Sequence, residues 1–282
     1  MSEERHGLLR LAGRTAVVTG AASGIGRAIA VALARRGCHL ALADVNAAGL
    51  AETVTQLRAA GGGAATVRAS VHALDVSDRD AVAAFPDVVR AAHPGVDVLV
   101  NNAGVAVGGT FEQVSEADFE WLFGVNFFGV VRMTRAFLPL LRTSDDARLV
   151  NLSSVFGLVA PPEQAAYAAS KFAVRGFSES LRQELRGSSV GVTVVHPGGV
   201  ATAIADSARV PAGVAREEVE RRRAKFRKSL RLAPAVAGET IVRGVERRRA
   251  RVLVGQDAHA IALIERLAPT ASWSVLERLM PR

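Results

Sequence analysis

The chain has 282 residues, of which 49% are hydrophobic and 22% are charged, and this suits one large α/β domain or two small ones. The single cysteine, Cys38, excludes an internal disulfide bond and is consistent with a reducing compartment. No apolar run is long enough to span a bilayer, and residues 1–13 lack the apolar core of a secretory signal. We therefore expect a cytoplasmic protein without a transmembrane segment.

The net charge of +8 is unevenly placed, because residues 209–251 hold 14 Lys or Arg and only 5 Asp or Glu. A basic segment of this kind can bind nucleic acid, anionic lipid or an acidic substrate. Aromatic residues are scarce around the run Arg221-Arg222-Arg223, where only Phe226 is near. We therefore interpret the segment as a solvated basic helix and predict no nucleic-acid partner.

Short apolar runs alternate with helical patterns along most of the chain. Six runs are predicted to be strands, at residues 15–19, 40–43, 71–74, 96–100, 148–152 and 190–195. Helices are expected at residues 25–36, 47–60, 78–91, 115–126, 128–141 and 165–185. Strands that are apolar without interruption are those buried on both faces, which predicts a parallel sheet with helices on each side. Residues 61–65, rich in glycine, are predicted to be a loop.

The pattern weakens after residue 200. Residues 201–231 are predicted to be a mobile, charged insertion, followed by a helix at 234–249 and a seventh strand at 252–254. Residues 258–280 carry apolar side chains at helical spacing that Pro269 interrupts. We expect one domain at residues 1–256, with a C-terminal helical extension at 257–282 packed on it or on another subunit.

A glycine-rich turn joins the first strand to the first helix. Glycines allow a tight turn and let backbone N–H groups approach a pyrophosphate at the helix N-terminus, where the helix dipole favours anions. The spacing is Gly-x-x-x-Gly-x-Gly rather than the more familiar Gly-x-Gly-x-x-Gly, and an ordinary turn is the alternative. The predicted dinucleotide-binding residues of this turn are Gly20, Ser23, Gly24, Ile25 and Gly26.

Asp44 ends the second predicted strand, where a carboxylate can accept hydrogen bonds from both hydroxyls of an adenosine ribose. The same carboxylate would repel a 2′-phosphate. Since no Lys or Arg occupies positions 23, 45 or 46, the sequence favours NAD over NADP as the cofactor. A helix N-cap aspartate is the alternative interpretation of Asp44.

Polar residues also follow the third and fourth strands, where the carboxyl ends of parallel strands line a ligand crevice. Asp75, which precedes Val76, is placed to bond an adenine amino group, and Asn101 to brace neighbouring strand ends. Plain turn residues are the alternative. The predicted cofactor-binding residues here are Asp75, Val76, Asn102, Ala103 and Gly104.

The only tyrosine, Tyr167, lies four residues before Lys171, so both side chains share one face of a helix. A phenol titrates near pH ~10, and a neighbouring cation favours its phenolate. We therefore expect a Tyr167 pKa that is lowered toward neutral pH, as a proton donor and acceptor requires.

Five motifs in this order resemble the classical short-chain dehydrogenases/reductases. They are Thr-Gly-x-x-x-Gly-x-Gly, Asn-Asn-Ala-Gly, a serine, Tyr-x-x-x-Lys and Pro-Gly-Gly-Val-x-Thr, and together they extend over residues 11–202. The resemblance implies a single Rossmann-type doubly wound sheet of about seven strands and a hydride transfer between a nicotinamide cofactor and a substrate carbon. It also implies that the enzyme forms a homodimer or homotetramer.

The resemblance implies a catalytic tetrad. Tyr167 would be the general acid/base, and Lys171 would lower its pKa and hold the nicotinamide ribose, so both also count as cofactor-binding residues. Ser154 would bond the substrate oxygen, and it is preferred to Ser153 because it lies thirteen positions before the tyrosine. Asn126 would hold a water that links Lys171 to solvent.

The segment after the sixth strand would pass the nicotinamide, with the Val200 backbone and Thr202 on its carboxamide; the cofactor-binding residues expected here are Pro197, Gly198, Val200 and Thr202. Residues 201–232 occupy the place of the family's substrate lid. Val105, Phe156 and Val159 are expected to line the substrate pocket, and these apolar side chains favour a hydrophobic secondary alcohol or ketone.

Two other functions stay open. One is an NADPH-linked reductase of a 3-oxoacyl thioester, which the basic lid favours; the other is a dinucleotide-binding regulator without turnover, which the complete Ser/Tyr/Lys/Asn set disfavours. No metal is expected, because the histidines do not form a ligand-spaced cluster. Peripheral contact of the C-terminal tail with an anionic membrane is less favoured than packing within the protein.

Overall fold

The computed structural model describes residues 7–60 and 67–279, apart from the side chains of residues 225 and 279, and the predicted loop at 61–65 lies outside these residues. A seven-stranded parallel sheet with the order β3-β2-β1-β4-β5-β6-β7 forms its centre. The chain winds from β1 outward to β3 and then returns to place β4 on the other side of β1. The α/β doubly wound fold predicted from the sequence is therefore confirmed.

All seven strands were predicted, each within two residues of its observed ends. Their bounds are β1 Thr15–Thr19, β2 His39–Asp44, β3 Ala69–Ala73, β4 Val98–Asn101, β5 Ala147–Leu152, β6 Val190–Pro197 and β7 Arg251–Val254. The central strands β1, β4 and β5 are buried along their whole length, and β5 is so although it contains Arg148 and Asn151. Strand β3, at one edge of the sheet, is partly exposed.

Helices cover both faces of the sheet. The helices are α1 Gly24–Ala34, α2 Ala47–Ala59, α3 Arg79–Ala92, α4 Glu116–Phe123, α5 Gly129–Leu141, α6 Ala165–Glu184, α7 Arg216–Ser229, α8 Pro234–Glu246, α9 Gln256–Leu267 and α10 Ser272–Leu279. One apolar core lies between the sheet and α1 and α8, and a second lies between the sheet and α3, α5 and α6. The two cores hold the sheet rigid, so that the loops at the carboxyl ends of its strands have fixed starting points.

The two helices predicted at 115–126 and 128–141 form one continuous helix. A π-helical segment, Gly124–Phe128, joins α4 to α5, and Asn126 lies fully buried inside it. A π-helical segment re-aims side chains relative to an α-helix and occurs frequently at functional sites. The structure therefore places a buried asparagine at a local irregularity of the backbone.

Helix α7, Arg216–Ser229, lies within residues 201–231, which were predicted to be a mobile, charged insertion, and within the basic segment that was interpreted as a solvated helix. Periodicity did not give the bounds of this helix, because it is polar on all sides and has no apolar stripe. Two isolated bridges, Val107 with Arg209 and Val200 with Leu232, join the segment to the rest of the fold.

The C-terminal extension consists of α9 and α10, with the break near Pro269 that was predicted. Helix α9 packs against β7 and against the turn that follows β5, and α10 packs on α9. Across residues 7–60 and 67–279, no helix has both the length and the apolar character needed to cross a bilayer.

Candidate active site

The glycine-rich turn is packed so closely that side chains would not fit. Gly20 has a φ of +64°, and a Cβ there would lie 2.7 Å from Asn102 Nδ2. Gly24 has a φ of +52°, and a Cβ would lie 3.0 Å from Thr202 Cγ2, while one on Gly26 would overlap the carbonyl oxygen of Gly20. Both positive φ values favour glycine. The turn therefore needs its glycines for conformation and for close approach.

The first turn of α1 has no side-chain cap. Ser23 stands at the N-cap with φ −158° and ψ 177°, yet its hydroxyl accepts no hydrogen bond from the helix, and Ile25 follows it in the first turn. By contrast, Asn46 caps α2 and Asp78 caps α3 through their side chains. Uncapped N–H groups at a helix N-terminus bind a phosphate well. This cradle fits the pyrophosphate of a dinucleotide.

The Asp44 carboxylate lies beside this turn. Its Oδ2 accepts a hydrogen bond from Ala22 N at 2.9 Å, and its Oδ1 accepts one from Asn46 N at 2.9 Å. Each carboxylate oxygen has a second lone pair, so the group can accept further donors from a ligand. A negative charge is thus fixed at the end of β2, next to the glycine-rich turn.

Asp75 does not end a strand, because β3 stops at Ala73. Its Oδ1 accepts hydrogen bonds from Ser77 N at 2.8 Å and from Ser77 Oγ at 2.7 Å, which is the turn role named as the alternative above. Val76 is buried against Gly129, which leaves its backbone as the group that a ligand could contact.

The end of β4 is tied directly to the glycine-rich turn. Asn102 Nδ2 donates to the carbonyl oxygens of Thr19 and Gly20, both at 3.0 Å. Thr19 Oγ1 in return accepts from the backbone N–H groups of Asn102 and Ala103, at 3.0 and 3.1 Å. Asn101 Nδ2 donates to Asn151 Oδ1 on β5 at 2.9 Å, so the predicted bracing of neighbouring strands is present.

Ser154 and Tyr167 come together at the carboxyl end of β5. The Ser154 hydroxyl lies beside the Tyr167 phenol and lowers its pKa, and Phe156 packs edge-on against the phenol ring with centroids 6.2 Å apart. Ser153 points elsewhere, as predicted, and its hydroxyl donates to the carbonyl oxygen of Lys171 at 2.8 Å. The serine at thirteen positions before the tyrosine is therefore the one beside the phenol.

Lys171 lies one helical turn beyond the phenol. Its Nζ is 5.6 Å from the centroid of the Tyr167 ring and donates to the carbonyl oxygen of Leu152 at 3.1 Å. A Cβ on Gly104 would lie 3.5 Å from this Nζ and 3.3 Å from Asn126 Oδ1, so a side chain there would touch the amine and crowd the amide.

Asn126 is held by the backbone of the β4 loop. Its Oδ1 accepts from Val105 N at 2.8 Å, and its Nδ2 donates to Val105 O at 3.0 Å and to Ser170 Oγ at 3.2 Å. Ser170, which sequence reasoning did not single out, donates its hydroxyl to the carbonyl oxygen of Tyr167 at 2.7 Å. Its position directly before Lys171 is the sequence feature that could have identified Ser170 as part of the site.

The expectation of a lowered Tyr167 pKa is corrected. Burial raises the pKa of Tyr167 to about 12, although the hydrogen bond with Ser154 opposes this shift. Burial also lowers the pKa of Lys171 to about 8. Helical spacing predicted the neighbouring charge, but desolvation by the fold acts against the charged form of both groups and is the stronger effect.

The segment after β6 returns to the glycine-rich turn through Thr202, whose methyl group lies against Gly24. Gly198 and Gly199 pack against Asp257 of α9, whose Oδ2 accepts a hydrogen bond from Gly199 N at 2.7 Å. Val200 N already donates to the carbonyl oxygen of Gly198 at 2.9 Å, within the turn that follows Pro197. Asp257 was missed because the contact joins residues that are far apart in the sequence.

An apolar recess opens beside Tyr167, on the side of Ala166. The recess is shallow and has no room for a water molecule in this structure, and it is lined by Val107, Gly109, Phe111, Val114, Phe119, Glu163, Ala165 and Ala166. Different residues were predicted, since Val105, Phe156 and Val159 do not line this recess. Val105 and Phe156 instead pack around or near the Tyr167 ring, and Val159 is buried.

The segment 201–232 covers one side of this recess. The Arg209 guanidinium stacks on the ring of Trp121, 3.4 Å from its centroid, and forms an ion pair with Asp118 at 3.0 Å. Arg222 on α7 forms an ion pair with Glu163 at 3.3 Å. Among the described residues, no group of three or more His, Cys, Asp or Glu side chains could hold a metal ion.

Comparison with known proteins agrees with this geometry. The short chain dehydrogenase family profile matches residues 14–212. SadH of Mycobacterium tuberculosis, described as an oxidoreductase, is 45% identical over 258 residues, which cover 90% of this chain and 91% of that protein.

Solved structures give the same result. A short-chain dehydrogenase/reductase from Burkholderia phymatum in complex with NAD is 34% identical, with a TM-score of 0.82 over 92% of this chain and 95% of that one. A metagenomic short-chain oxidoreductase in complex with NADP is 32% identical, with a TM-score of 0.69 over 87% of this chain and 98% of that one. The chain therefore belongs to the short-chain dehydrogenase/reductase family and is an oxidoreductase of that family.

Proposed function

We propose that this protein interconverts a hydrophobic secondary alcohol and its ketone with NAD(H), and that Tyr167 is the general acid/base. One observation carries the proposal: the phenol of Tyr167 lies beside the Ser154 hydroxyl, with the Lys171 amine 5.6 Å from its ring. The glycine-rich turn lies at the same edge of the sheet, so a dinucleotide held there would extend toward this group.

The chain would hold the dinucleotide at both of its ends. The N–H groups of Ser23, Gly24, Ile25 and Gly26 would bind the pyrophosphate, and Asp44 would bind the adenosine ribose. In the same placement, Asp75 and Val76 would contact the adenine. The residues at the nicotinamide would be Pro197, Gly198, Val200 and Thr202. The Val200 N–H would first have to leave its bond to the Gly198 carbonyl.

The proton steps belong to Tyr167, Ser154 and Lys171. When bound, the nicotinamide dinucleotide supplies or takes the hydride that moves at the substrate carbon. Ser154 would hold the substrate oxygen by a hydrogen bond, and Tyr167 would take the alcohol proton in oxidation or give one in reduction. Lys171, buried beside Asn126, would favour the phenolate electrostatically and hold the nicotinamide ribose. Asn126 would connect the amine to solvent through a water.

Asp44 supports NAD rather than NADP. Its carboxylate is held by two backbone N–H groups, so it cannot swing away from a 2′-phosphate without losing both bonds. Related structures contain NAD in the Burkholderia phymatum enzyme and NADP in the metagenomic one, so the family accommodates both. The charge at this position is the feature of this chain that selects between them.

The apolar recess supports a hydrophobic substrate. Six of its lining residues are Val, Phe or Ala, and they continue from Ala166, the neighbour of Tyr167. Arg209 and Arg222 lie close to the recess, but each is paired with a carboxylate, which disfavours an acidic substrate such as an acyl thioester. Residues 201–232 would act as a lid over this recess.

We infer that residues 1–256 form the catalytic domain and that 257–282 are an extension packed on it. The hydrogen bond between Asp257 and Gly199 N supports this arrangement. Phe128, directly before α5, and Phe172, on α6, are 48% and 39% exposed, which supports a homodimer or homotetramer. Size-exclusion chromatography with light scattering tests the assembly; a monomer at micromolar concentration contradicts it.

A screen of secondary alcohols with NAD, followed by the absorbance of NADH, tests the proposed function. We expect turnover that rises with the apolar surface of the alcohol and that falls strongly when NADP replaces NAD. Primary alcohols and 3-hydroxyacyl thioesters serve as competing substrates in the same screen. Turnover confined to thioesters with NADPH would contradict the proposal.

A further inference from the structure

We infer that His196 is a positioning residue that fixes Ser154 for its role beside Tyr167, an inference that rests on the function proposed above. His196 is the seventh residue of β6 and pairs with Leu253 of β7, and its side chain is fully buried. Its Nδ1 lies 2.9 Å from the carbonyl oxygen of Ser154. The histidine thus bonds the backbone of the residue whose hydroxyl faces the phenol.

This contact determines the tautomer of the ring. A carbonyl oxygen can only accept a hydrogen bond, so Nδ1 must carry the hydrogen. Nε2 is then unprotonated, and it has no hydrogen-bond partner among the residues that the structure describes. Arg175 and Glu179 on α6 and Arg251 on β7 are the charged groups around the ring. Protonation at Nε2 would bury a cation without a partner, so the neutral ring is favoured.

The Ser154 carbonyl needs this donor because the chain turns sharply there. Ser154 is extended, with φ −164° and ψ 170°, and the next residues form a 3₁₀ turn, Val155–Gly157. The same carbonyl accepts from Gly157 N at 2.9 Å, and Ser154 Oγ accepts from Phe156 N at 3.1 Å. His196 is the contact that ties this local turn to the rigid sheet.

A second hydrogen bond joins the backbone just before Ser154 to β6. Ser153 N donates to the carbonyl oxygen of Val195 at 2.9 Å, so the residues before Ser154 and His196 are also paired. If the His196 bond is lost, the Ser154 carbonyl keeps only the hydrogen bond from Gly157 N within its own turn, and the link from this carbonyl to β6 is gone. The turn can then shift relative to the sheet. Small displacements of a group that positions a reacting atom have large effects on rate.

Two substitutions distinguish the effect of losing the hydrogen bond from the effect of changing the volume of the side chain. His196→Asn keeps an amide N–H close to the position of Nδ1, while His196→Leu fills similar space without a donor. We expect His196→Leu to lower kcat for alcohol oxidation by roughly 10-fold, the scale of one positioning hydrogen bond. The KM for NAD should change by less than about 2-fold, since the pyrophosphate cradle is remote from the change. His196→Asn should recover most of the loss.

A double substitution tests whether His196 acts through Ser154. In a Ser154→Ala background the hydroxyl is already gone, so adding His196→Leu should lower kcat by less than about 2-fold further. Full additivity of the two losses would overturn the inference. So would equal kcat values for the Leu and Asn variants, each normalised to the fraction of chain that binds NADH.

A measurement without turnover separates this inference from the proposed function. The ¹⁵N chemical shifts of the ring, assigned by their absence in His196→Asn, should identify the Nδ1–H tautomer. The Tyr167 pKa, followed by the phenolate absorbance of the chain's only tyrosine, should be higher in His196→Leu than in the wild type and recover in His196→Asn. If no alcohol is oxidised but both results hold, the proposed function fails and the positioning role stands. An Nε2–H tautomer, or an unchanged Tyr167 pKa, would overturn it.

Discussion

Replacing Asp44 by Asn should remove most of the preference for NADH over NADPH. The carboxylate is half-buried at the end of β2 and accepts from Ala22 N and Asn46 N, so its charge would stay near an adenosine ribose bound as proposed. A 2′-phosphate on that ribose would bring two negative charges close together. The substitution keeps the shape of the side chain and removes its charge.

The size of the effect follows from Coulomb's law. Two unit charges about 4 Å apart interact by about 1 kcal/mol in water and about 4 kcal/mol at an effective dielectric constant of 20. Because Asp44 is partly exposed, we expect a repulsion near the lower part of this range. The wild type should therefore bind NADH at least ~10-fold more tightly than NADPH, about 1.4 kcal/mol.

Titration of the protein with each nucleotide, read by nicotinamide fluorescence, measures the ratio of the two dissociation constants. Asp44→Asn also loses one acceptor for the backbone, so both affinities can fall, and the ratio is the quantity to compare. Asp87→Asn, on an exposed side chain of α3, is the control for net charge. Equal binding of NADH and NADPH by the wild type, or an unchanged ratio in Asp44→Asn, would refute the reasoning.

Three further predictions concern proton binding. In the proposed mechanism alcohol oxidation needs the phenolate, and burial raises the pKa of Tyr167 to about 12. The kcat for oxidation should therefore increase with pH from 6 to 10, whereas the kcat for ketone reduction should not. A flat pH profile for oxidation, measured where the chemical step limits the rate, would contradict this. Ser154→Ala removes the hydrogen bond that lowers the Tyr167 pKa, so the phenolate absorbance of the only tyrosine should appear at higher pH than in the wild type, and a shift to lower pH would count against the contact. His93 is 2% exposed and burial lowers its pKa to about 4, below the value of 6.5 in the unfolded chain, so its contribution to stability is complete above pH 6.5 and is lost as pH falls toward 4. His93 should therefore contribute on the order of 1–2 kcal/mol to the fall in the free energy of unfolding between pH 7 and pH 5, measured by urea titration. Burial lowers the pKa of His196 to about 4 as well, so His93→Gln should make this dependence less steep without removing it. An equally steep dependence in the variant would contradict the contribution of His93.

The sheet and the cofactor turn were predictable because their signals are local. Strands β1 and β4 are buried on both faces and contain the apolar runs 16–18 and 98–100, and β5 contains the apolar pair Leu149 and Val150. The turn needs glycine where φ is positive, as at Gly20 and Gly24, and these requirements are visible as residue types at fixed spacing. The Tyr167–Lys171 spacing likewise predicted neighbours on one helix.

Tertiary contacts account for what the sequence did not reveal. Asp257 and His196 meet the Gly199 N–H and the Ser154 carbonyl across long stretches of chain, so no local pattern marks them. Helix α7 has no apolar stripe, so periodicity did not give its bounds within the basic segment. Whether the pKa of Tyr167 is raised or lowered depends on how completely the fold desolvates the phenol, and the spacing of residues contains no information about burial.

The substitution Tyr167→Phe tests the proposed role of Tyr167 most directly, because it removes one oxygen and keeps the ring that packs against Phe156. With the best alcohol from the screen, we predict that kcat falls by roughly 10³-fold or more while the NADH dissociation constant changes by less than about 3-fold. A variant that keeps a substantial part of the wild-type kcat would show that another group moves the proton and would contradict the assignment of Tyr167.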